Sequence, residues 1–148
     1  MDFILECICI MNIEQLLKAL DNDKNEDIID STRITIKNKL KDALDELELD
    51  NKTYNEFLSK LTSYRHIDNI SLIRPGSYIR WIKLGTDTPK LTAGCHICDI
   101  NFTDNGIIIT CKNFRNSHFN VYFDQCVIFQ RLSDQEEVLL SAIDYLSK

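Results

Sequence analysis

Cysteine and histidine crowd one short stretch of this sequence, Cys95-His96-Ile97-Cys98, and a Cys-x2-Cys spacing holds zinc when a second pair of ligands completes the tetrahedron. Cys111, His118 and Cys126 would be the completing ligands. Geometry argues against the site. In a regular strand residues 95 and 98 point to opposite faces, so both reach one ion only if the chain turns there, which Gly94 permits without requiring. The competing reading is buried thiols acting as small hydrophobes. A redox pair would need a βαβ setting that the surrounding pattern lacks. No zinc is expected.

A second candidate is Asp21-x-Asp23-x-Asn25, the opening of a calcium loop, with an aliphatic residue, Ile28, at its eighth position. Glu26 stands where the sharp turn wants glycine and Thr32 where a bidentate carboxylate is needed, so the oxygen cage does not close. Calcium is not expected either, and residues 21–30, with five acids, read as an exposed connection. Nucleophilic catalysis has raw material in six cysteines, three histidines (His66, His96, His118) and many acids, but no local signature. There is no Gly-x-Ser-x-Gly, and Gly76, Gly85, Gly94 and Gly106 are too far apart for a phosphate loop. No catalytic residue is assigned.

The remaining chemistry is recognition. Arg74, Tyr78, Arg80, Trp81 and Lys83 interleave cations with aromatic rings, and Lys112, Arg115, His118 and Arg131 follow from later segments. Single-strand binders use such surfaces to stack bases and attract phosphate; protein interfaces also favour Tyr, Trp and Arg. Within 77–84 alternation leaves both facings open, and the reading adopted here turns Ile79 and Trp81 inward, Tyr78 and Arg80 outward, with Lys83 at the strand end.

Charge is unevenly spread along the chain. The formal net charge is −6, which argues against a surface wholly devoted to nucleic acid. Residues 1–73 carry 9 Lys/Arg against 15 Asp/Glu, residues 74–131 carry 7 against 4, and residues 132–148 carry 1 against 4. A mildly basic segment therefore lies between two acidic ones.

The elements that must position these residues follow from periodicity. Asn12 can cap a helix over about 13–20, and Ile36, Leu40, Ala43, Leu44 and Leu47 form the stripe of an amphipathic helix. Asp50-Asn51 breaks it and caps another, with Tyr54, Phe57, Leu58, Leu61 and Tyr64 as its stripe, so the pair reads as an αα-hairpin. At Arg74-Pro75-Gly76 the period changes to two, and five strands are expected at 77–84, 95–103, 107–112, 119–123 and 126–131. Asn105-Gly106 favours a two-residue type I′ hairpin, in which Phe102 opposes Ile109, Ile100 opposes Cys111, Asp99 opposes Lys112, and Cys98 shares the apolar face with Cys111. Asp124-Gln125 would join the last two strands as a second tight pair. Ser133-Asp134-Gln135-Glu136 is a capping box, opening a final helix with Leu139, Ala142, Ile143 and Leu146 on its inner stripe.

The expected fold is thus α+β: an N-terminal helical hairpin, a small antiparallel five-stranded curved sheet or barrel of SH3-like or OB-like type, and a C-terminal helix. The expected division is 1–71 helical and 72–148 barrel plus helix, with one shared compact unit as the alternative.

The stretches Arg74-Pro75-Gly76-Ser77-Tyr78-Ile79-Arg80-Trp81-Ile82, Lys90-Leu91-Thr92-Ala93-Gly94 and Cys126-Val127-Ile128-Phe129-Gln130-Arg131-Leu132 together resemble small uncharacterised proteins of large double-stranded DNA viruses. The resemblance implies a viral setting and a small-barrel fold, and brings no catalytic residue with it. The leading expectation for function is a non-enzymatic protein-binding or assembly module, in a viral particle or complex. The alternative is a nucleic-acid-binding barrel using the basic and aromatic strand surface. The chain shows neither a basic leader with a cleavage site nor a long apolar run, so an intracellular location, in host cytoplasm or virion, with reduced cysteines and no membrane partner is expected.

Overall fold

The computed structural model describes residues 13–22, 25, 28 and 31–146; the cap expected at Asn12 and the loop positions Asp23 and Glu26 lie outside them. Among the described residues the protein is α+β, with helices α1 (Ile13–Asp21), α2 (Arg33–Asp45), α3 (Asn51–Lys60) and α4 (Asp134–Leu146). Its strands are β1 (Tyr64–Ile67), β2 (Tyr78–Lys83), β3 (Cys95–Thr103), β4 (Gly106–Lys112), β5 (His118–Tyr122) and β6 (Cys126–Arg131). The chain divides into two compact units, cut between Asn38 and Lys39 and again between Arg131 and Leu132. The change of pattern near Leu72 falls inside the second unit.

The first unit is helical. Ala19, Ile28, Ile36, Leu132, Leu139 and Leu140 form its core. The capping box closes as expected: Ser133 N–H donates to Glu136 Oε1 at 2.9 Å and Glu136 N–H donates to Ser133 Oγ at 3.1 Å. The box draws Glu136 inward, and α4 buries it with Leu140 and with Leu139 of the expected stripe; Ala142 and Ile143 of that stripe are half-buried and Leu146 is 81% exposed. Arg33 fastens α2 to α4 through Glu137 (2.7 Å), Asp144 (3.1 Å) and the Ser141 hydroxyl (2.8 Å). The acidic connection is less exposed than its composition implies. Asn25 is fully buried, its amide donating to Ala19 O at 3.0 Å and to Gln135 Oε1 at 3.1 Å, and Ile28 is fully buried in the core. Thr32, the twelfth loop position, accepts from Thr35 N–H at the start of α2.

The second unit is a six-stranded antiparallel sheet in the order β1-β6-β2-β3-β4-β5. It is open, with β1 and β5 at its edges, and has six strands where a five-stranded curved sheet or barrel was expected. The extra strand is β1. Its first residue, Tyr64, continues the helical stripe of α3 in sequence, but the helix ends at Leu61 and Tyr64 instead pairs with Arg131. Strands β5 and β6 do not pair with each other. A 3-10 turn, Phe123–Gln125, carries the chain away, so β5 pairs β4 while β6 runs between β1 and β2.

The β3–β4 hairpin forms, in a register two residues from the expected one. Phe102 opposes Ile107 and Ile100 opposes Ile109. A type I′ turn needs positive φ at both Asn105 and Gly106; of the two only Gly106 has it (φ +124°), so the loop is Asp104-Asn105 and the glycine absorbs the twist beyond it. Further along, the pairing slips between Ile97 and Asp99, a bulge that leaves Cys98 exposed, away from the buried Cys111.

Both faces of the central strands are covered. Ile67, Ile79, Cys95, Ile97, Ile109, Cys111, Val121 and Ile128, drawn from all six strands, form one cluster with Ile73. On the other face of β1, β6 and β2, α3 and the second half of α2 lay Leu40, Ala43, Leu44, Phe57 and Leu61 over Tyr64, Ile82 and Phe129. The stripe expected on α2 is thus buried, and Asp50 caps α3 by accepting from Thr53 N–H. That helical cover does not reach the outer part of the same face on β4 and β5, where Thr110 and Asn120 bond to each other.

His66, on β1, sits 5.9 Å from the Phe129 ring, and burial pushes its imidazole pKa below the ordinary value, against the opposing pull of Asp68 and Glu46. The folded state therefore holds fewer protons than the unfolded chain, so this contribution to stability is present above the unfolded pKa and is lost as pH falls through the folded one. Between about pH 7.5 and about pH 5.5 the thermal midpoint should fall, and His66→Gln should reduce that fall. An equal fall in both proteins would contradict the burial of His66.

Candidate basic and aromatic interface

The face that carries the helices on β1, β6 and β2 continues across the sheet as a transverse row of polar side chains. Tyr64 lies opposite Arg131, Tyr78 opposite His96, His96 opposite Lys112, and Lys112 opposite His118. Because Ile79 pairs Gln130, the next residues, Tyr78 and Arg131, also adjoin. Directly opposed residues share a face, so the six form one line, Tyr64, Arg131, Tyr78, His96, Lys112, His118, perpendicular to the strands. Neighbouring strands lie about 4.8 Å apart, so the stretch from Arg131 to His118 spans roughly 19 Å.

The row is held in place by contacts of its own. The Arg131 guanidinium lies 4.7 Å from the centre of the Tyr78 ring and 5.7 Å from that of Tyr64, flanked by a tyrosine from each neighbouring strand. Tyr78 meets His96 edge-on at 5.0 Å and donates its hydroxyl to Ala93 O at 2.6 Å. Burial pushes the Tyr78 phenol pKa up, so it remains a donor. Arg80, the next same-face residue of β2, donates Nε–H to Thr92 O at 2.8 Å. His96, His118 and Arg131 are exposed, and Lys112 is half-buried.

Beyond Lys112 and His118 the chain turns through 113–117. Asn113 Oδ1 accepts from the N–H groups of Arg115 (2.9 Å) and Ser117 (3.0 Å), which sets the turn and leaves Phe114 89% exposed beneath the Arg115 guanidinium. The row thus ends on a tip carrying one cation and one bare ring.

Carboxylates are scarce here. Along this face of the six strands the only one is Asp99, whose Oδ1 is taken by Ile100 N–H. Asp104 and Asp124 sit at the opposite end of the sheet, beside Gly106. Among the described residues, Arg80, Lys112, Arg115 and Arg131 form no ion pair with a carboxylate. Cations left unpaired side by side repel one another unless an anion joins them.

Of the eight surface residues expected from sequence, Tyr78, Lys112, His118 and Arg131 stand in the row, with Arg80 beside it and Arg115 at its tip. Arg74 precedes β2, its N–H donating to Gln130 Oε1. Lys83 lies at the far end of β2, opposite Cys126, away from the row. Trp81 faces inward beside Ile79, as expected, and is half-buried against the cluster there. His96, which stands in the row, was not among the expected surface residues. Its signal was available in the alternation Tyr78, Arg80 and His96, Lys112, but a hairpin register two residues off placed Asp99 against Lys112 instead.

The expected cysteines do not converge. Cys95 and Cys111 are buried on the inner face, Cys98 is exposed on the bulge, and His118 faces the other way from Cys111. Burial pushes the Cys111 thiol up to about 12, and raises Cys95 and Cys126 too, so these sulfurs stay protonated. Among the described residues no group of three or more His, Cys, Asp or Glu side chains is placed to hold a metal ion, and no helix is long and apolar enough to cross a membrane. Comparison with protein-family models, with curated proteins and with solved structures finds no match, so the site is read from its own geometry.

Gly94 positions Tyr78. A Cβ there would stand 2.6 Å from Tyr78 Cε1 and 2.7 Å from Ile79 O, and its φ of +103° is one that side chains disfavour. Gly94→Ala should destabilise the protein by roughly 1–3 kcal/mol in denaturant unfolding. Unchanged stability would contradict the close approach of this segment to β2.

Proposed function

We propose that the sheet-bearing unit is a non-enzymatic binding module whose ligand is single-stranded nucleic acid, held across the row from Arg131 to His118. The observation that carries this reading is the line of cations and aromatic rings on one face with a single carboxylate beside it. Phosphates neutralise Arg131, Lys112 and Arg115, while Phe114 at the tip offers a free ring face for a base. The half-buried Tyr78 holds Arg131 in place and is not itself a stacking platform. The order of strands, with β6 returning beside β2 after a 3-10 turn, supports an SH3-like connectivity for β2–β6 within the open sheet.

Protein assembly is the second reading, favoured by one observation. Phe114, Phe119 and Tyr122 are exposed along the edge strand β5 and its loop. An edge with no Lys, Pro or bulge is open to pairing with another chain. The viral complex implied by the sequence resemblance would suit either ligand.

A fluorescent oligothymidylate of about twelve nucleotides should bind at low ionic strength, with log affinity falling against log salt at a slope of about −2 to −3. Lys112→Ala should lower that slope by about 0.7. Absence of binding at low salt, combined with concentration-dependent self-association that is lost in Phe114→Ser, would transfer the function to the second reading.

A further inference from the structure

The middle of the row has a property that cation number alone does not describe. His96, Lys112 and His118 lie side by side on three adjacent strands in direct register, so one permanent cation is flanked by two imidazoles, the side chain that serves proteins as a pH switch. We infer that these three side chains form a phosphodiester clamp whose affinity rises as the imidazoles take up protons. The inference rests on the nucleic-acid reading above.

The surroundings of each imidazole matter for the sign. His96 faces Tyr78 on β2 and Lys112 on β4, with Arg131 behind Tyr78, and Cys98 and Asp99 further along β3. His118 faces Lys112 on β4 and lies at the other end of the turn that carries Arg115; β5 is an edge, so no strand lies beyond it. Asp99 is the one carboxylate on this face, and its Oδ1 is occupied by Ile100 N–H. Lys112 stands between the two imidazoles and Asp99 is the one strand carboxylate on their face, so negative charge is scarce beside them. A bound phosphate supplies what is missing. Each negative oxygen placed over Lys112 favours the cationic form of the imidazole on either side, so proton uptake and phosphate binding are linked. Both imidazoles are exposed, so proton and ligand have direct access.

The experiment uses the full chain and the same labelled oligothymidylate, at about pH 8 and about pH 5.5 and constant ionic strength. Affinity should rise at least about tenfold at the lower pH. His96→Gln with His118→Gln should abolish that rise, with the thermal midpoint nearly unchanged. His66→Gln, which removes the one histidine outside the row, should keep the rise. Binding that is pH-independent, that keeps its rise in the double variant, or that loses it in His66→Gln overturns the clamp and leaves the nucleic-acid reading standing. No binding at either pH removes that reading and the clamp with it.

Discussion

The side chain of Gln130 is fully buried between Arg65 of β1 and Ile79 of β2, and its amide is spent on backbone. Its Oε1 accepts from Arg74 N–H at 2.9 Å and its Nε2 donates to Leu72 O at 3.1 Å. A buried amide without partners would be costly, and so would the two backbone groups that it satisfies. By tying the segment between β1 and β2 to β6, Gln130 fixes where β2 begins. Ile79 then pairs Gln130 and Cys95, which puts Tyr78 beside both Arg131 and His96. The alignment of cations across the sheet depends on this one register.

The strand that carries Gln130 has each face engaged differently. Ile128 enters the cluster shared by all six strands, and Phe129 enters the cluster beneath α2 and α3. Arg131, the last residue of β6, is the first to escape both, and two tyrosines hold it at the margin. The row of cations therefore starts where the helical cover stops. Towards β5 the same face carries Lys112, Thr110, Asn120 and His118, groups that need solvent or a polar ligand.

Much of this was legible in the sequence because it is local. The stripe Ile36, Leu40, Ala43, Leu44 reads as one helical face and each of its residues is buried, Ile36 in the core of the first unit and the others in the second, and Ser133 with Glu136 caps α4 as their spacing requires. The strands β2, β3, β4 and β6 announce themselves by their β-branched and aromatic residues. What was not legible is long-range or depends on a single dihedral. Tyr64 fits the period of α3 as well as it fits a strand, and only its pairing with Arg131, 67 residues away, decides the matter. Gly106 takes positive φ while Asn105 does not, which moves the hairpin register by two. The slip at Cys98 then restores a pairing, His96 with Lys112, that no regular ladder from the turn would give. The Cys-x2-Cys spacing there sets one buried thiol, Cys95, beside one left exposed on a bulge, Cys98.

The central claim is that the ligand lies along the row from Arg131 to His118. Amide chemical shifts of the isotopically labelled protein, followed while unlabelled oligothymidylate is added, test it most directly. The account requires the largest shifts at Tyr78, His96, Lys112, His118, Arg131 and the turn 113–117, with little change near Lys83, Asp104 and Asp124 at the other end of the sheet. Shifts confined to that other end or to α1 and α4, with the row unmoved, would contradict it.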